Sequence, residues 1–170
     1  MILGVVGVGS LLIGLSINRF RERPLPLVYE NKEVRVMKAV ERIAHEPPAA
    51  GVQAGSTLPE LLSLEEFRGF VADRKGTVLD ARPNIFYRIG HVPGALNLPR
   101  EDFETAYAAN KALLEGQKTA PIAIYCSSEE CEDATLVRKA LVQLGFTKVS
   151  IFEEGWRGWT EAGLEEESAE

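Results

Sequence analysis

Both cysteines of the chain lie in one short segment, and they are the residues with the clearest capacity for chemistry. Cys126 directly follows the apolar run Pro121-Ile-Ala-Ile-Tyr125, and Cys131 comes five residues later. A strand–loop–helix junction directs backbone N–H groups and the positive end of a helix dipole at its loop. Such a loop favours the thiolate, which is the nucleophilic form of cysteine. Position alone leaves two interpretations open, a nucleophile or a small buried residue that ends a strand.

The elements that must position Cys126 are strands that alternate with helices. Ser63 and Glu66 have the spacing of a capping box, which starts an amphipathic helix. We predict helices at residues 63–73, 102–114, 133–144 and 156–162, and strands at residues 77–80, 95–98, 121–125 and 148–152. This alternation indicates an α/β fold, a mostly parallel sheet with helices on both faces. In such sheets the chemistry lies at the carboxyl ends of the strands.

Four short motifs follow one another along the chain in a fixed order. They are Asp80-Ala-Arg82, Tyr87-Arg-Ile-Gly-His-Val-Pro-Gly-Ala95, Tyr125-Cys126 and Gly155-Trp-Arg-Gly-Trp159. Together they resemble the rhodanese-like (sulfurtransferase) domain family. The resemblance implies a five-stranded, mainly parallel α/β domain that needs no metal and no organic cofactor. It also implies that Cys126, as an exposed thiolate, takes sulfane sulfur from a donor as a persulfide and passes it to a thiophilic acceptor, a small molecule or a protein thiol.

The loop departs from the pattern of active family members, which often have an arginine five positions after the cysteine. Here that position is Cys131, and residues 126–133 contain four carboxylates and no cation. A carboxylate about 6 Å from a thiolate costs about 2–3 kcal/mol at an effective dielectric of about 20. A helix terminus offsets only about 0.3–1 kcal/mol of that cost. The sequence therefore favours a neutral or protein-bound sulfur donor over thiosulfate. The predicted active-site loop comprises Cys126, Ser127, Ser128, Glu129, Glu130 and Cys131, and the N–H groups of residues 127–131 are expected to stabilise the sulfur's charge.

Two alternatives to sulfur transfer stay open. Cys126 and Cys131 are close enough in sequence to form a disulfide within the loop, which would suit a thiol redox sensor. The missing loop cation instead favours a non-catalytic interaction module in a membrane assembly. A phosphatase is excluded, because it needs an arginine six positions after the cysteine and this chain has Glu132 there.

Three further residues are candidates for supporting roles. Asp80 and Arg82 end a strand near the expected site, where a fold-stabilising ion pair is the commoner role for such residues. His91 lies in a Gly-His-Val-Pro-Gly turn, and the resemblance makes it structural, with a catalytic base as the alternative. His45 is the only other histidine, so no metal cluster is predicted.

The first 17 residues contain no charged side chain. As a helix they would be about 26 Å long, close to the roughly 30 Å of a bilayer's hydrocarbon core. We therefore predict a membrane span or anchor at residues 1–18. Arg19, Arg21 and Arg23 follow it, and the positive-inside rule then places the C-terminal domain in the cytoplasm. Glycines in the span would let a membrane-protein partner pack closely.

The rest of the chain divides into three predicted segments: a juxtamembrane linker at residues 19–57, the domain at residues 58–164, and an acidic tail, expected to fray, at residues 165–170. Within the linker, residues 30–45 are predicted to form a short helix with Val36, Val40 and Ile43 on one side. The net charge of −6 and pI near 5.1 argue against nucleic acid as a partner.

Overall fold

The computed structural model describes residues 16–21, 30–44, 59–129 and 131–169. Contacts divide the chain into two units, Met1–Asn31 and Lys32–Glu170. In the first unit residues 16–19 are helical. The predicted membrane segment, residues 1–18, lies almost wholly outside the described residues. Among the residues that are described, no helix has the length and apolar character needed to cross a membrane.

Five strands form one sheet at the centre of the second unit. They are β1 (Leu61–Leu62), β2 (Thr77–Asp80), β3 (Leu96–Asn97), β4 (Ile122–Tyr125) and β5 (Val149–Phe152). Their order in the sheet is β1-β5-β4-β2-β3, and every neighbouring pair is parallel. The predicted α/β fold with a five-stranded parallel sheet is therefore confirmed. Strand β4 is central, and the register sets Asp80 at the end of β2 opposite Tyr125.

Seven helices accompany the sheet in the part of the chain that the structure describes from residue 30 onward. They are α1 (Lys32–Ile43), α2 (Leu64–Ala72), α3 (Asn84–Ile89), α4 (Phe103–Ala109), α5 (Lys111–Glu115), α6 (Glu132–Gln143) and α7 (Gly155–Glu161), with a 3₁₀ turn at Arg100–Asp102. The capping box at Ser63 is present, with both of its hydrogen bonds. The helix predicted at residues 102–114 is two helices, because the chain breaks at Asn110, whose side-chain amide donates to the carbonyl of Ala106.

Apolar clusters lie on both faces of the sheet. Ile122 and Ile124 of β4 face one cluster, whereas Ala123 and Tyr125 face the other. This alternation is the period of two that a strand imposes on its side chains. All four residues are fully buried, as expected for a central strand covered on both sides.

Helix α1 belongs to the second unit, although the sequence placed it in a linker. The predicted helix is confirmed, and its Val36, Ala39 and Val40 are buried in the first apolar cluster. Arg42 donates to Glu104 across 2.7 Å, and Lys139 pairs with Glu33. The contact-defined unit that contains the domain begins at Lys32 and therefore includes part of the predicted linker. The apolar side of an amphipathic helix is stable when it packs against another apolar surface. For α1 that surface is formed by α4 and α6.

The acidic tail is bound to the domain. Glu167 and His91 exchange both backbone hydrogen bonds, at 2.7 and 2.9 Å, and the N–H of Ala169 donates to the carbonyl of Arg88. The indole N–H of Trp159 donates to the carbonyl of Glu165. The expectation that residues 165–170 fray is wrong for the described residues 165–169, because backbone hydrogen bonds form regardless of side-chain charge.

Candidate active site

Cys126 is the first residue after β4, at the carboxyl edge of the central strand. It is joined to Cys131 by a disulfide, with the two Cα atoms 6.0 Å apart. Only 3% of Cys126 is exposed, and its side chain belongs to the apolar cluster on the α6 side of the sheet. The predicted position at the sheet edge is thus confirmed. The expected exposed thiolate is not what the structure contains, because the disulfide holds the sulfur against the start of α6.

The first turn of α7 holds the cysteine loop, residues 126–131, in place. The N–H of Trp156 donates to the carbonyl of Cys126 across 2.7 Å, and that of Arg157 donates to Ser127 across 3.0 Å. Gly155 has φ 62°, and a Cβ there would lie 2.7 Å from the carbonyl oxygen of Cys126. Both the backbone angle and the close approach therefore require glycine at this position.

One of the predicted N–H donors is already engaged. The N–H of Cys131 donates to the carbonyl of Ser128 across 3.1 Å, which closes a turn within the loop. It is therefore not directed at the sulfur of Cys126, contrary to the expectation from sequence. Glu130, also predicted as a loop residue, lies outside the described residues. Ser127, Ser128 and Glu129 lie in the loop as predicted.

Cations from three other segments surround the acidic loop. Asp133, at the start of α6, accepts a hydrogen bond from the guanidinium Nε of Arg100 across 2.7 Å and lies 3.6 Å from the ammonium of Lys32. Arg157 pairs with Glu129 at 3.3 Å. Lys32, Arg100 and Arg157 all lie outside residues 126–133, so the charges within that segment did not predict these ion pairs. Arg100 was the one open to prediction, since it closely follows β3 and the ends of parallel strands meet at one edge.

A carboxylate oxygen of Asp133 lies within 4.8 Å of both cysteine sulfurs. The three side chains are close enough to suggest a metal site, but the sulfurs are bonded to each other and Asp133 is paired with Arg100. A disulfide sulfur lacks the thiolate charge that metals require. In this oxidised form the cluster does not fit a metal ion.

Asp80 and Arg82 form a buried ion pair on the other side of β4. The carboxylate accepts from the guanidinium across 2.6 Å, and the side chains are 0% and 3% exposed. The Tyr125 hydroxyl donates to Asp80 across 2.7 Å, and the Arg82 guanidinium lies 4.4 Å from the centre of the Trp156 ring. Burial raises the pKa of Tyr125 far above its ordinary value, and the charge of Asp80 adds to that rise. The polar groups of Asp80, Arg82 and Tyr125 are thus all engaged in hydrogen bonds or ion pairs, which suits a structural role.

His91 is held between Tyr87 and the tail. Its Nδ1 lies 2.9 Å from the carbonyl oxygen of Tyr87, and its ring stacks on the Tyr87 ring at a centroid distance of 3.9 Å. Its Nε2 is 3.7 Å from a carboxylate oxygen of Glu167. These contacts place His91 in the turn that binds the tail, which matches the structural role that the family resemblance implies.

A small cavity of about 110 Å³ adjoins the disulfide. Its lining includes Cys126, Cys131, Glu129, Glu153 and Thr135. A larger groove of about 530 Å³ lies near Thr77, at the amino end of β2, and has none of the cysteine loop in its lining. The small cavity is the one placed for chemistry at sulfur, and its two acidic lining residues disfavour an anionic ligand.

The described geometry agrees with a match to a known family. The Rhodanese-like domain family matches residues 63–162, which is more than half of the chain. The chain therefore belongs to the rhodanese-like domain family, and the predicted resemblance is confirmed for the domain.

Individual relatives are distant. A Schizosaccharomyces pombe protein named "Probable 3-mercaptopyruvate sulfurtransferase" is 26% identical over 164 residues, covering 85% of this chain and 49% of the relative. The chain spans half or less of the length of the curated relatives it matches. A Bacillus halodurans structure covers 81% of this chain and 87% of its own, with 19% identity and a TM-score of 0.57. A human single-domain sulfurtransferase covers 61% and 97%, with 24% identity and a TM-score of 0.52. At these identities the two structures establish the fold alone.

Proposed function

We propose that this chain is a sulfurtransferase in which Cys126 carries sulfane sulfur as a persulfide. The observation that carries the proposal is the place of Cys126, at the end of the central strand and between the starts of α6 and α7. In the first half-reaction the Cys126 thiolate attacks the sulfane sulfur of a donor, and the rest of the donor leaves with the bonding electron pair. In the second, an acceptor thiolate attacks the outer sulfur and restores the Cys126 thiolate.

The proposed cycle starts from the reduced loop, since a disulfide sulfur is not the nucleophile that the first step needs. Reduction frees Cys126 beside a cavity of about 110 Å³. A water molecule occupies about 30 Å³ in the liquid, so this cavity accepts a terminal sulfur with room for few other atoms. A bulky donor must therefore present its sulfur from outside the cavity.

The charges near the cavity bear on the class of donor. Arg100 and Lys32 neutralise Asp133, but Glu153 and Glu129 both line the cavity, and only Glu129 has a described ion pair at the site. Glu153 lines the cavity without a described ion pair, and its charge repels a dianion, so thiosulfate is a poor candidate donor. We propose a persulfide of lower charge than thiosulfate, either a small molecule or carried on another protein, as the donor class.

The test is a sulfur-transfer assay on the full chain after reduction and removal of the reductant. Thiosulfate, 3-mercaptopyruvate and cysteine persulfide are offered as donors, and cyanide as the acceptor, with thiocyanate as the readout. We expect turnover to be fastest with cysteine persulfide and to be lost in Cys126→Ser. The same assay is run on Cys131→Ser, in which no second thiol can discharge the persulfide on Cys126. If no donor gives thiocyanate that depends on Cys126 in either the wild type or Cys131→Ser, the sulfurtransferase proposal is wrong.

A second candidate function is thiol redox sensing, which the Cys126–Cys131 disulfide favours. In that case peroxide alone oxidises the reduced loop to the disulfide, and a dithiol reverses it. Mass spectrometry after alkylation measures both steps. Equal alkylation of the two thiols after mild oxidation would exclude sensing.

Failure of both assays would leave the non-catalytic interaction module, which predicts co-purification with a partner from gently solubilised membranes.

We also propose that residues 1–18 anchor the protein in a membrane, with the domain on the cytoplasmic side. The support is in the sequence, an uncharged run of 17 residues followed by three arginines. Alkaline carbonate extraction of membranes from expressing cells tests the anchor, and protease protection tests the side. Release of the protein into the carbonate supernatant would contradict the anchor.

A further inference from the structure

We propose that Cys131 resolves the persulfide on Cys126, so that the chain releases its sulfur as hydrosulfide and closes its own disulfide. This inference rests on the proposed function, because it needs a persulfide on Cys126. It differs from that function in its product. The sulfur leaves as a small reduced anion, and the chain, rather than an outside acceptor, supplies the second thiol.

The geometry for this step is present in the folded chain. The Cys126 and Cys131 Cα atoms are 6.0 Å apart and their sulfurs are bonded, so Cys131 reaches the inner sulfur of a persulfide at Cys126 without unfolding. The turn from Ser128 to Cys131 and the hydrogen bond from Trp156 to Cys126 hold the two ends of the loop. The backbone is therefore arranged for the two sulfurs to meet.

The step balances without an external oxidant. The Cys131 thiol loses its proton to solvent, and its thiolate attacks the sulfur of Cys126 that is bonded to carbon. The bond between the two persulfide sulfurs breaks, and its electron pair leaves with the outer sulfur as hydrosulfide. The two cysteine sulfurs are oxidised by two electrons in total, and the sulfane sulfur is reduced by two.

Burial favours this intramolecular route over an outside acceptor. Cys126 is only 3% exposed in the observed loop conformation, so an outside acceptor has to reach it through the small adjoining cavity. Cys131 is already within bonding distance, and such proximity gives a neighbouring group a large effective concentration. The acidic lining of the adjoining cavity, Glu129 and Glu153, disfavours retention of the hydrosulfide anion.

The disulfide must be reopened before another turnover, and a dithiol reductant is the chemical class suited to this. Two successive thiol exchanges by one dithiol release both cysteines, with a disulfide of the reductant as the by-product. Steady-state release of hydrosulfide should therefore depend on a dithiol.

A single-turnover experiment on the full chain tests the inference. The wild type and Cys131→Ser are reduced, freed of reductant by gel filtration, and mixed with one equivalent of cysteine persulfide in the absence of oxygen. In the wild type we expect about one equivalent of hydrosulfide and a protein mass lower by two hydrogen atoms. In Cys131→Ser we expect a gain of one sulfur atom on Cys126 and a yield of hydrosulfide at least about tenfold below that of the wild type.

The outcomes separate the inference from the proposed function. A wild type that keeps its persulfide as stably as Cys131→Ser overturns the inference and leaves sulfur transfer intact. If neither protein takes up sulfur, the proposed function fails and the inference fails with it. Circular dichroism checks the fold of Cys131→Ser, and Cys131→Ala serves as a second variant. The wild-type ratio of hydrosulfide to disulfide decides the matter even if both variants misfold, since a ratio far from one contradicts the inference.

Discussion

Two sets of polar residues flank the end of the central strand, and they are built in opposite ways. The buried polar cluster, Asp80, Arg82 and Tyr125, is sealed from solvent, and its members bond mainly to one another. The cysteine loop, residues 126–131, takes its cationic partners from α7 and, through Asp133, from the 3₁₀ turn and α1.

The difference between the two sets shows which of them can change its bonding without disrupting the fold. Removing any member of the buried polar cluster leaves an unpaired polar group in a medium of low dielectric, so the cluster is fixed. The cysteine loop is held by a disulfide, which reductants break, and by ion pairs, of which that between Arg157 and Glu129 is exposed. Asp80 and Arg82 of the first family motif thus support the fold, whereas the loop that departs from the family pattern after Cys126 holds the disulfide.

The strongest test of this comparison is Asp80→Ala. It leaves the Arg82 guanidinium buried without its carboxylate partner, and we expect the free energy of unfolding to fall by about 3–5 kcal/mol. Arg157→Gln, which breaks the exposed pair with Glu129, is the control and should cost less than about 1 kcal/mol. Urea denaturation measures both. Similar losses in the two variants would contradict the distinction between the regions.

A second test concerns the contact that joins α7 to the cysteine loop. Gly155→Ala meets both a positive φ and a clash with Cys126, so we expect a loss of about 2–4 kcal/mol and slower sulfur transfer. Gly163 also has a positive φ, 65°, but open space where a Cβ would lie. Gly163→Ala therefore introduces the backbone strain without a steric clash. We expect it to cost about 1–2 kcal/mol and to leave transfer unchanged. Equal effects would show that the contact with the loop is unimportant.

The disulfide supplies a third test. Closing such a short loop restricts the unfolded chain, and its reduction should lower the free energy of unfolding by about 2 kcal/mol. Cys131→Ser and Cys126→Ser should each lose a similar amount, and a dithiol should have no further effect on either variant. Thermal unfolding with and without the dithiol measures this. A dithiol effect that persists in the variants would show that it does not act through this disulfide.

The smallest expected effect is on alkaline titration. Burial raises the pKa of Tyr125, and it also raises the pKa of Tyr107, whose hydroxyl donates to Glu115. Both should stay protonated at about pH 11, where an ordinary tyrosine ionises. Because the folded pKa lies above the unfolded one, this stabilisation is complete below about pH 10 and is lost as the pH rises toward the folded values. Tyrosinate absorbance measures the ionisation, and full ionisation of the native chain near pH 10 would contradict it.

Much of the fold could be predicted, because periodic segments carry their own signal. The apolar run before Cys126 predicted a buried central strand, and the capping residues Ser63 and Glu66 marked a helix start. Strand β1 has only two residues, and α3 exposes Ile85 and Ile89, so neither produces a clear pattern.

The site was only partly predictable. The place of Cys126 follows from strand order, and a disulfide with Cys131 was one of the alternatives that the spacing left open. The partners of Asp133 did not follow, since Arg100 and Lys32 are distant in sequence and meet it only through packing. The role of the tail was hidden because it binds through backbone groups, which every residue has.

The packing of α1 has a practical consequence for recombinant work on this protein. A chain cut to the family-matched residues 63–162 would lack α1, and the apolar surfaces of α4 and α6 that it covers would face water. Exposed apolar area of this kind promotes self-association. A recombinant fragment with boundaries chosen from the family match alone would therefore tend to aggregate. A fragment that begins before Lys32 would keep these surfaces covered.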